Sequence, residues 1–104
     1  MSISEVKKII KNYAKILKEK EYSFSSLYLF GSYAKGKAHK WSDIDVAVIS
    51  SKSKINSFSE YKSLSRICLD VDYRIEPHCF SVKDFNDSSD PLVSEIKKTG
   101  IRVV

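Results

Sequence analysis

The pattern of apolar and polar positions predicts helices that alternate with short strands. Apolar residues recur every three or four positions near the start, which predicts a helix over residues 4–20 that Ser4 caps. Apolar runs predict strands over residues 24–30 and 43–50, with a short helix over residues 32–37 between them. This order favours an α/β or α+β class, with a small mixed sheet of about three to five strands flanked by helices.

The second half of the chain continues the alternation. It predicts a polar loop over residues 50–57, a helix over 58–68, a strand over 71–80, a capped helix start at Ser81 and Asp84, a helix from Asp90 to Gly100, and an edge strand over 101–104. Because neither a repeat nor a linker is evident, residues 1–104 are predicted to form one domain.

Two carboxylates share one face at the start of the second strand. Side chains alternate along a strand, so Asp43 and Asp45 point the same way while Ile44 and Val46 point the other way. Neighbouring ionised carboxylates repel each other, and a divalent cation removes that penalty. Mg²⁺ is commonly held by one or two carboxylates together with substrate phosphates. Taken alone the pattern leaves another interpretation open, in which Asp43 caps a turn and Asp45 faces solvent.

Gly31 and Ser32 directly follow the first strand. A glycine permits close approach of the backbone, and a serine hydroxyl can donate to a phosphate oxygen. The pair can also be an ordinary turn that ends a strand. Beside the two aspartates, however, it indicates a seat for a nucleoside triphosphate that is bound through Mg²⁺.

The whole segment resembles the signature of the DNA polymerase beta-type nucleotidyltransferase superfamily. The resemblance rests on LFGSYAKGKAHKWSDIDVAVIS, in which an apolar strand, Gly31-Ser32, Ala34-Lys35-Gly36, Ser42-Asp43-Ile44-Asp45 and a second apolar strand follow in order. It is greatest with the minimal nucleotidyltransferases, and it covers about a quarter of the chain. It implies a polymerase-beta-like fold, with Gly31, Ser32, Lys35 and Ser42 binding the nucleotide. Lys35 stands where the family commonly has Arg, so a point charge replaces a bidentate fork.

The resemblance also implies a third carboxylate on a neighbouring strand. If the strand covers residues 71–80, alternation places Asp72, Arg74, Glu76 and His78 on one face. Asp72 and Glu76 then lie roughly 13 Å apart, so only one of them can reach a metal held by Asp43 and Asp45. Glu76 is favoured because the family places this acid shortly before a helix, and Asp72 is the alternative. His78 is interpreted as a structural or exposed side chain.

The activity that the resemblance implies is Mg²⁺-dependent nucleotidyl transfer. Asp43, Asp45 and Glu76 would hold a two-metal site, and an acceptor would take a nucleoside monophosphate, AMP from ATP in the first instance, with release of pyrophosphate. Minimal nucleotidyltransferases are often paired with a helical HEPN protein as antitoxin and toxin, so the expected acceptor is a partner protein. The alternative is a catalytically weak or inactive module that neutralises a partner by forming a complex. The sequence does not select the nucleotide.

Composition changes this interpretation little. The net charge of +5 is a mild attraction for anions, and a nucleic-acid-binding domain is a minor third hypothesis. Cys68 and Cys79 lack the short spacing of a metal site and are expected to be buried or half-buried thiols. No apolar run approaches the roughly 20 residues that span a bilayer, and no secretory signal is evident, so a cytoplasmic location is expected. The oligomeric state stays open, a homo-oligomer included.

Overall fold

The computed structural model describes residues 1–52 and 55–104. Its elements, in chain order, are α1 (Ile3–Glu19), β1 (Phe24–Phe30), β2 (Ile44–Ser50), α2 (Ser57–Cys68), β3 (Ile75–Ser81), α3 (Val82–Phe85), α4 (Pro91–Thr99) and β4 (Ile101–Arg102). The alternation of helices and strands is the one that the sequence predicts, apart from the helix expected between β1 and β2. Part of the predicted loop over residues 50–57 lies outside the described residues.

The four strands form one mixed sheet in the order β3-β2-β1-β4. β1 pairs antiparallel with β2 and with β4, whereas β2 pairs parallel with β3. The prediction of a small mixed sheet of three to five strands is confirmed, and so is the position of the C-terminal strand at an edge. The parallel pair matters most for the site because it sets Asp45 opposite Glu76.

Each face of the sheet carries helices. Alternation along β2 sends Val46 and Val48 into a core beneath α1 and α2, and sends Ala47 and Ile49 into a smaller core beneath α3 and α4. A sheet that is buried on both faces explains why β2 is apolar throughout its length except at Asp45 and at Ser50, its last residue.

Helix starts follow the capping rules, with one correction. α1 begins at Ile3, and Ser2 rather than Ser4 is its cap, because the Ser2 hydroxyl accepts from the Glu5 N–H while the Glu5 carboxylate accepts from the Ser2 N–H. Ser81 caps α3, as predicted, and Asp90, where the last helix was predicted to begin, caps α4.

The predicted helix over residues 32–37 is wrong. Residues 31–36 form turns bounded by two glycines with left-handed backbones, Gly31 at φ +75° and Gly36 at φ +69°. A right-handed helix cannot continue through a residue with a left-handed backbone, so Gly31 and Gly36 exclude a helix across this segment. The main-chain bonds from Lys35 N–H to Gly31 O (3.1 Å) and from Lys37 N–H to Ser32 O (2.9 Å) close a compact loop instead.

The third strand is shorter than predicted. β3 begins at Ile75, and the residues before it form a turn in which the Asp72 carboxylate accepts from the Arg74 N–H, at 2.9 Å. In this turn the Arg74 N–H is bonded to a side chain and not to a neighbouring strand. The hydrogen bonds between β3 and β2 therefore begin at the bond from Ile44 N–H to Arg74 O, 2.8 Å.

The two cysteines are thiols, Cys68 buried and Cys79 half-buried, as expected. Burial raises the pKa of Cys68 to about 11, which makes this thiol a poor nucleophile at neutral pH. In the described part of the chain no helix is long and apolar enough to cross a bilayer.

Candidate functional site

The two aspartates lie at the start of β2, where the chain enters the sheet. Asp45 is the second residue of the strand and is half-buried, whereas Asp43 precedes the strand and is exposed. The prediction placed Asp43 within the strand, and the structure places it one residue before. Alternation still directs Asp45 to the face that carries Ala47 and Ile49.

Glu76 is the carboxylate that the sheet brings to Asp45. Their Cα atoms are partners in the parallel ladder between β2 and β3, so both side chains leave the same face of neighbouring strands. Glu76 is half-buried, as Asp45 is. Three carboxylates, Asp43, Asp45 and Glu76, therefore stand at one end of the β2–β3 pair.

Asp72, the alternative to Glu76 as third carboxylate, is engaged by a neighbouring arginine. It lies in the turn before β3 and holds Arg74 by two charged bonds, Nε to Oδ1 at 2.9 Å and Nη2 to Oδ2 at 2.7 Å. These hydrogen bonds from Arg74 hold the pKa of the Asp72 carboxyl below its usual range. Because both of its oxygens are engaged by a cation, Asp72 is a poor candidate for a metal ligand.

Gly31 approaches the Asp45 carboxylate directly. A Cβ added to Gly31 would lie 2.3 Å from Asp45 Oδ2, and the residue has a φ of +75°. Only glycine satisfies both conditions without strain. The backbone that follows β1 therefore lies directly against the Asp45 carboxylate on β2, with no room for a side chain between them.

The other predicted nucleotide ligands lie in the loop that follows. Ser32 is half-buried, and its main-chain oxygen accepts from Lys37 N–H. The buried Ser42 accepts from His39 N–H through its hydroxyl oxygen at 2.9 Å, which fixes the turn before Asp43. Lys35 forms an ion pair with Glu95 on α4, so in this structure its charge is directed toward the helix.

His78 stands beside Asp45, a contact that the sequence interpretation did not predict. Its Nε2 lies 3.5 Å from Asp45 Oδ1, and its ring meets Phe30 edge-on with 5.0 Å between the ring centroids. About a third of the side chain is exposed, yet Nε2 itself is buried and forms no hydrogen bond with any described residue. Its position two residues beyond Glu76 was the available signal, since both side chains leave the same face of β3.

The donor set suits a hard cation. Within residues 1–52 and 55–104, no three His, Cys, Asp or Glu side chains are grouped as a ready-made metal cage. Mg²⁺ does not need such a cage, because it takes one or two carboxylates and completes its shell with water and substrate phosphates. Asp43 and Asp45, with Glu76 beside them, offer the carboxylate oxygens that such a site needs. The Gly31 backbone lies against one side of the Asp45 carboxylate.

A family comparison agrees with this geometry. Residues 5–104 match the model of the polymerase beta nucleotidyltransferase domain, which covers nearly the whole chain. The chain belongs to the polymerase beta nucleotidyltransferase family. A protein from Methanocaldococcus jannaschii, provisionally named a protein adenylyltransferase, is 46% identical to the chain over 63 residues. That stretch is 61% of this chain and 62% of the relative, so the chain spans about three-fifths of the relative's length.

Solved structures of this nucleotidyltransferase fold resemble the chain along most of its length. A toxin–antitoxin structure with AMP-PNP gives a TM-score of 0.66 at 23% identity, covering 94% of this chain and 72% of that one. A structure of the tri-AMPylated Shewanella oneidensis HEPN toxin in complex with MNT antitoxin gives a TM-score of 0.61 at 19% identity, covering 95% of this chain and 71% of that one. At these identities the likeness shows a shared fold, and it confirms the predicted polymerase-beta-like architecture.

Proposed function

We propose that this nucleotidyltransferase transfers a nucleoside monophosphate, AMP from ATP, to a HEPN-type partner protein, and that it acts in this way as the antitoxin of a toxin–antitoxin pair. The observation that carries the proposal is the pairing of Asp45 with Glu76 across β2 and β3, beside Asp43 and against Gly31. Support for the acceptor comes from the M. jannaschii relative's name and from the AMPylated HEPN toxin in the Shewanella complex.

In the proposed reaction Asp43, Asp45 and Glu76 would hold Mg²⁺, which would neutralise phosphate charge and orient the triphosphate. The Gly31 and Ser32 loop binds the β- and γ-phosphates. A hydroxyl oxygen of the acceptor forms a bond to the α-phosphorus, and the bond from that phosphorus to the bridging oxygen of the β-phosphate breaks. Pyrophosphate leaves with the bond electrons. Glu76 takes the hydroxyl proton as general base.

A labelled-nucleotide assay separates the enzyme from a binding module. The protein is incubated with Mg²⁺ and α-labelled ATP, with and without the product of the neighbouring gene as acceptor; the Shewanella toxin serves as a second acceptor. We expect label on the acceptor. A tight complex that takes no label from ATP, CTP, GTP or UTP would instead identify a module that neutralises its partner by binding alone.

Glu76 and Asp72 can be separated by matched substitutions. We expect Glu76→Gln to lower the rate of transfer by roughly a hundredfold or more, because the carboxylate proposed to hold Mg²⁺ and to take the acceptor proton is lost. Asp72→Asn should cost about tenfold at most, because it frees Arg74 but leaves the carboxylates of the site in place. Steady-state rates at saturating Mg²⁺ measure both effects. A larger loss for Asp72→Asn than for Glu76→Gln would reverse the assignment.

Lys35 is proposed to leave Glu95 and meet the triphosphate. We expect Lys35→Met to raise the KM for ATP roughly fivefold, the size of one partly exposed charge contact, with kcat little changed. Glu95→Gln removes only the competing anion and should leave the KM for ATP equal or lower. If Lys35→Met binds ATP as the wild type does, Lys35 is simply a surface partner of Glu95.

A further inference from the structure

Beside Asp43 lies a cleft whose other lining residues take no part in the nucleotide chemistry described above. It has a volume of about 310 Å³ and is lined by Lys40, Trp41, Asp43, Tyr73 and Arg74. We name it the Trp41–Tyr73 cleft. Its two aromatic side chains are strongly exposed, Trp41 by 79% and Tyr73 by 81%, although large aromatic rings usually find cover in a folded protein.

A cationic side chain lies over each of the two aromatic rings. Lys40 Nζ lies 5.1 Å from the centroid of the Trp41 ring, and Arg74 Cζ lies 5.9 Å from that of Tyr73. The pair of charged bonds to Asp72 fixes the Arg74 guanidinium. Trp, Tyr and Arg are the residue types that dominate binding energy in protein–protein interfaces. The cleft therefore has the composition of an anchor site for a polypeptide.

The order of the strands places the β3 side of the cleft opposite the loop that contains Gly31 and Ser32. Gly31 follows β1, the two aspartates stand at the start of β2, and Tyr73 and Arg74 lead into β3. Because β2 lies between β1 and β3, the β3 side of the cleft, formed by Tyr73 and Arg74, and the Gly31 loop lie on opposite sides of Asp43 and Asp45. The bond from Ile44 N–H to Arg74 O, 2.8 Å, holds the β3 side of the cleft against the start of β2.

Phosphoryl and nucleotidyl transfer proceed with the attacking and leaving oxygens roughly in line. If pyrophosphate leaves toward Gly31 and Ser32, the attacking oxygen must approach from the side of β3. We infer that the Trp41–Tyr73 cleft docks the acceptor polypeptide, seating an apolar or aromatic side chain between the two rings so that a neighbouring hydroxyl faces the α-phosphate beside Asp43. This inference rests on the proposed function. The net charge of +5 and the ammonium of Lys40 favour an acidic segment.

Kinetics with substituted proteins tests the docking site. Trp41→Ala and Tyr73→Ala should each raise the KM for the HEPN-type acceptor roughly tenfold, with the Kd for Mg²⁺-ATP within about twofold of the wild-type value. Trp41→Phe should restore part of the affinity. Phe58→Ala is the matched control, because the Phe58 ring on α2 is 71% exposed and does not line the cleft. Unchanged acceptor KM values in both cleft variants would overturn the inference.

The chain contains a single tryptophan, so its emission reports on the cleft alone. We expect the HEPN-type acceptor to change Trp41 emission, with or without nucleotide, and Mg²⁺ with inorganic tripolyphosphate to leave it unchanged. If Mg²⁺-ATP quenches the emission and the acceptor adds nothing, the cleft holds the nucleobase and the inference is wrong. If the acceptor shifts the emission but wild-type protein transfers no label to it, the proposed function fails while the docking site stands.

Discussion

Replacing Asp43 and Asp45 together by asparagine should abolish nucleotide transfer, lowering the rate by roughly a thousandfold or more. Loss of one charge-stabilising group from an active site commonly costs a hundred- to a thousandfold, and both carboxylates are removed here. Asparagine keeps the shape of each side chain, and Asp43 is exposed, so the fold should persist. The measurement is the initial rate of label transfer from α-labelled ATP to the acceptor at saturating Mg²⁺.

Thermal unfolding supplies the control for that experiment. The wild-type protein should gain stability when Mg²⁺ and a nonhydrolysable ATP analogue are added together, because a ligand that binds only the folded state raises Tm. The doubly substituted protein should lose this gain while keeping the Tm of the free protein within a few degrees. Asp70→Asn changes an exposed carboxylate that is paired with Lys20, and it should leave both transfer and the ligand-induced gain intact. Full transfer by the Asp43 and Asp45 variant would remove the mechanism.

Gly31→Ala should lower the rate of transfer by roughly a hundredfold, the order of effect expected when a reacting group is misplaced by about 1 Å. The new Cβ would come within 2.3 Å of Asp45 Oδ2, so either the carboxylate or the loop must move. Forcing alanine into a left-handed backbone adds a loss of about 1–2 kcal/mol in the free energy of unfolding. Rates and chemical denaturation on the same preparation measure the two effects separately.

Gly36 provides a matched control for Gly31. It too has a left-handed backbone, at φ +69°, but an added Cβ would meet no atom within 4 Å. Gly36→Ala should therefore show a similar loss of stability with near-normal transfer. Equal losses of transfer in the two variants would mean that the loop conformation, and not the contact between Gly31 and Asp45, governs the rate.

Much of the fold follows from local patterns. The alternation along β2 could be read from the sequence because each face of the sheet is buried by helices, which leaves Asp45 as the one polar side chain in its first half. The helix starts at Ser81 and Asp90 were predictable from short-range spacing. A capping side-chain oxygen accepts from an N–H group two or three residues later in the chain.

The errors of prediction arise where a local bond competes with a regular element. Asp72 was assigned to a strand because the polar alternation continued through it, but its bonds to Arg74 form a turn that ends the ladder early. The helix over residues 32–37 was predicted without knowledge of the backbone angles of Gly31 and Gly36, which exclude it. The cap of α1 was misplaced by two residues because Ser2 and Ser4 are both residue types that cap helices. The distinguishing signal was Glu5, which lies three residues after Ser2 and completes a capping box with it.

The site was predictable as a set of residues but not as an arrangement. The motif named Gly31, Asp43 and Asp45, while the register between β2 and β3, which sets Glu76 against Asp45, depends on pairing between strands some 30 residues apart. The same holds for His78 beside Asp45, for Lys35 turned toward Glu95, and for the Trp41–Tyr73 cleft. All three join segments that are distant in the sequence, so short-range spacing carries no information about them.

The most direct test of the central claim follows the two ends of ATP separately. The protein and its acceptor are incubated with Mg²⁺ and ATP labelled at either the α- or the γ-phosphate, and the acceptor and the released phosphates are then counted. Nucleotidyl transfer predicts α-label on the acceptor and γ-label in pyrophosphate, with neither product formed after Mg²⁺ is chelated. Label from the γ-phosphate on the acceptor, or α-label transfer that survives chelation, would contradict the account.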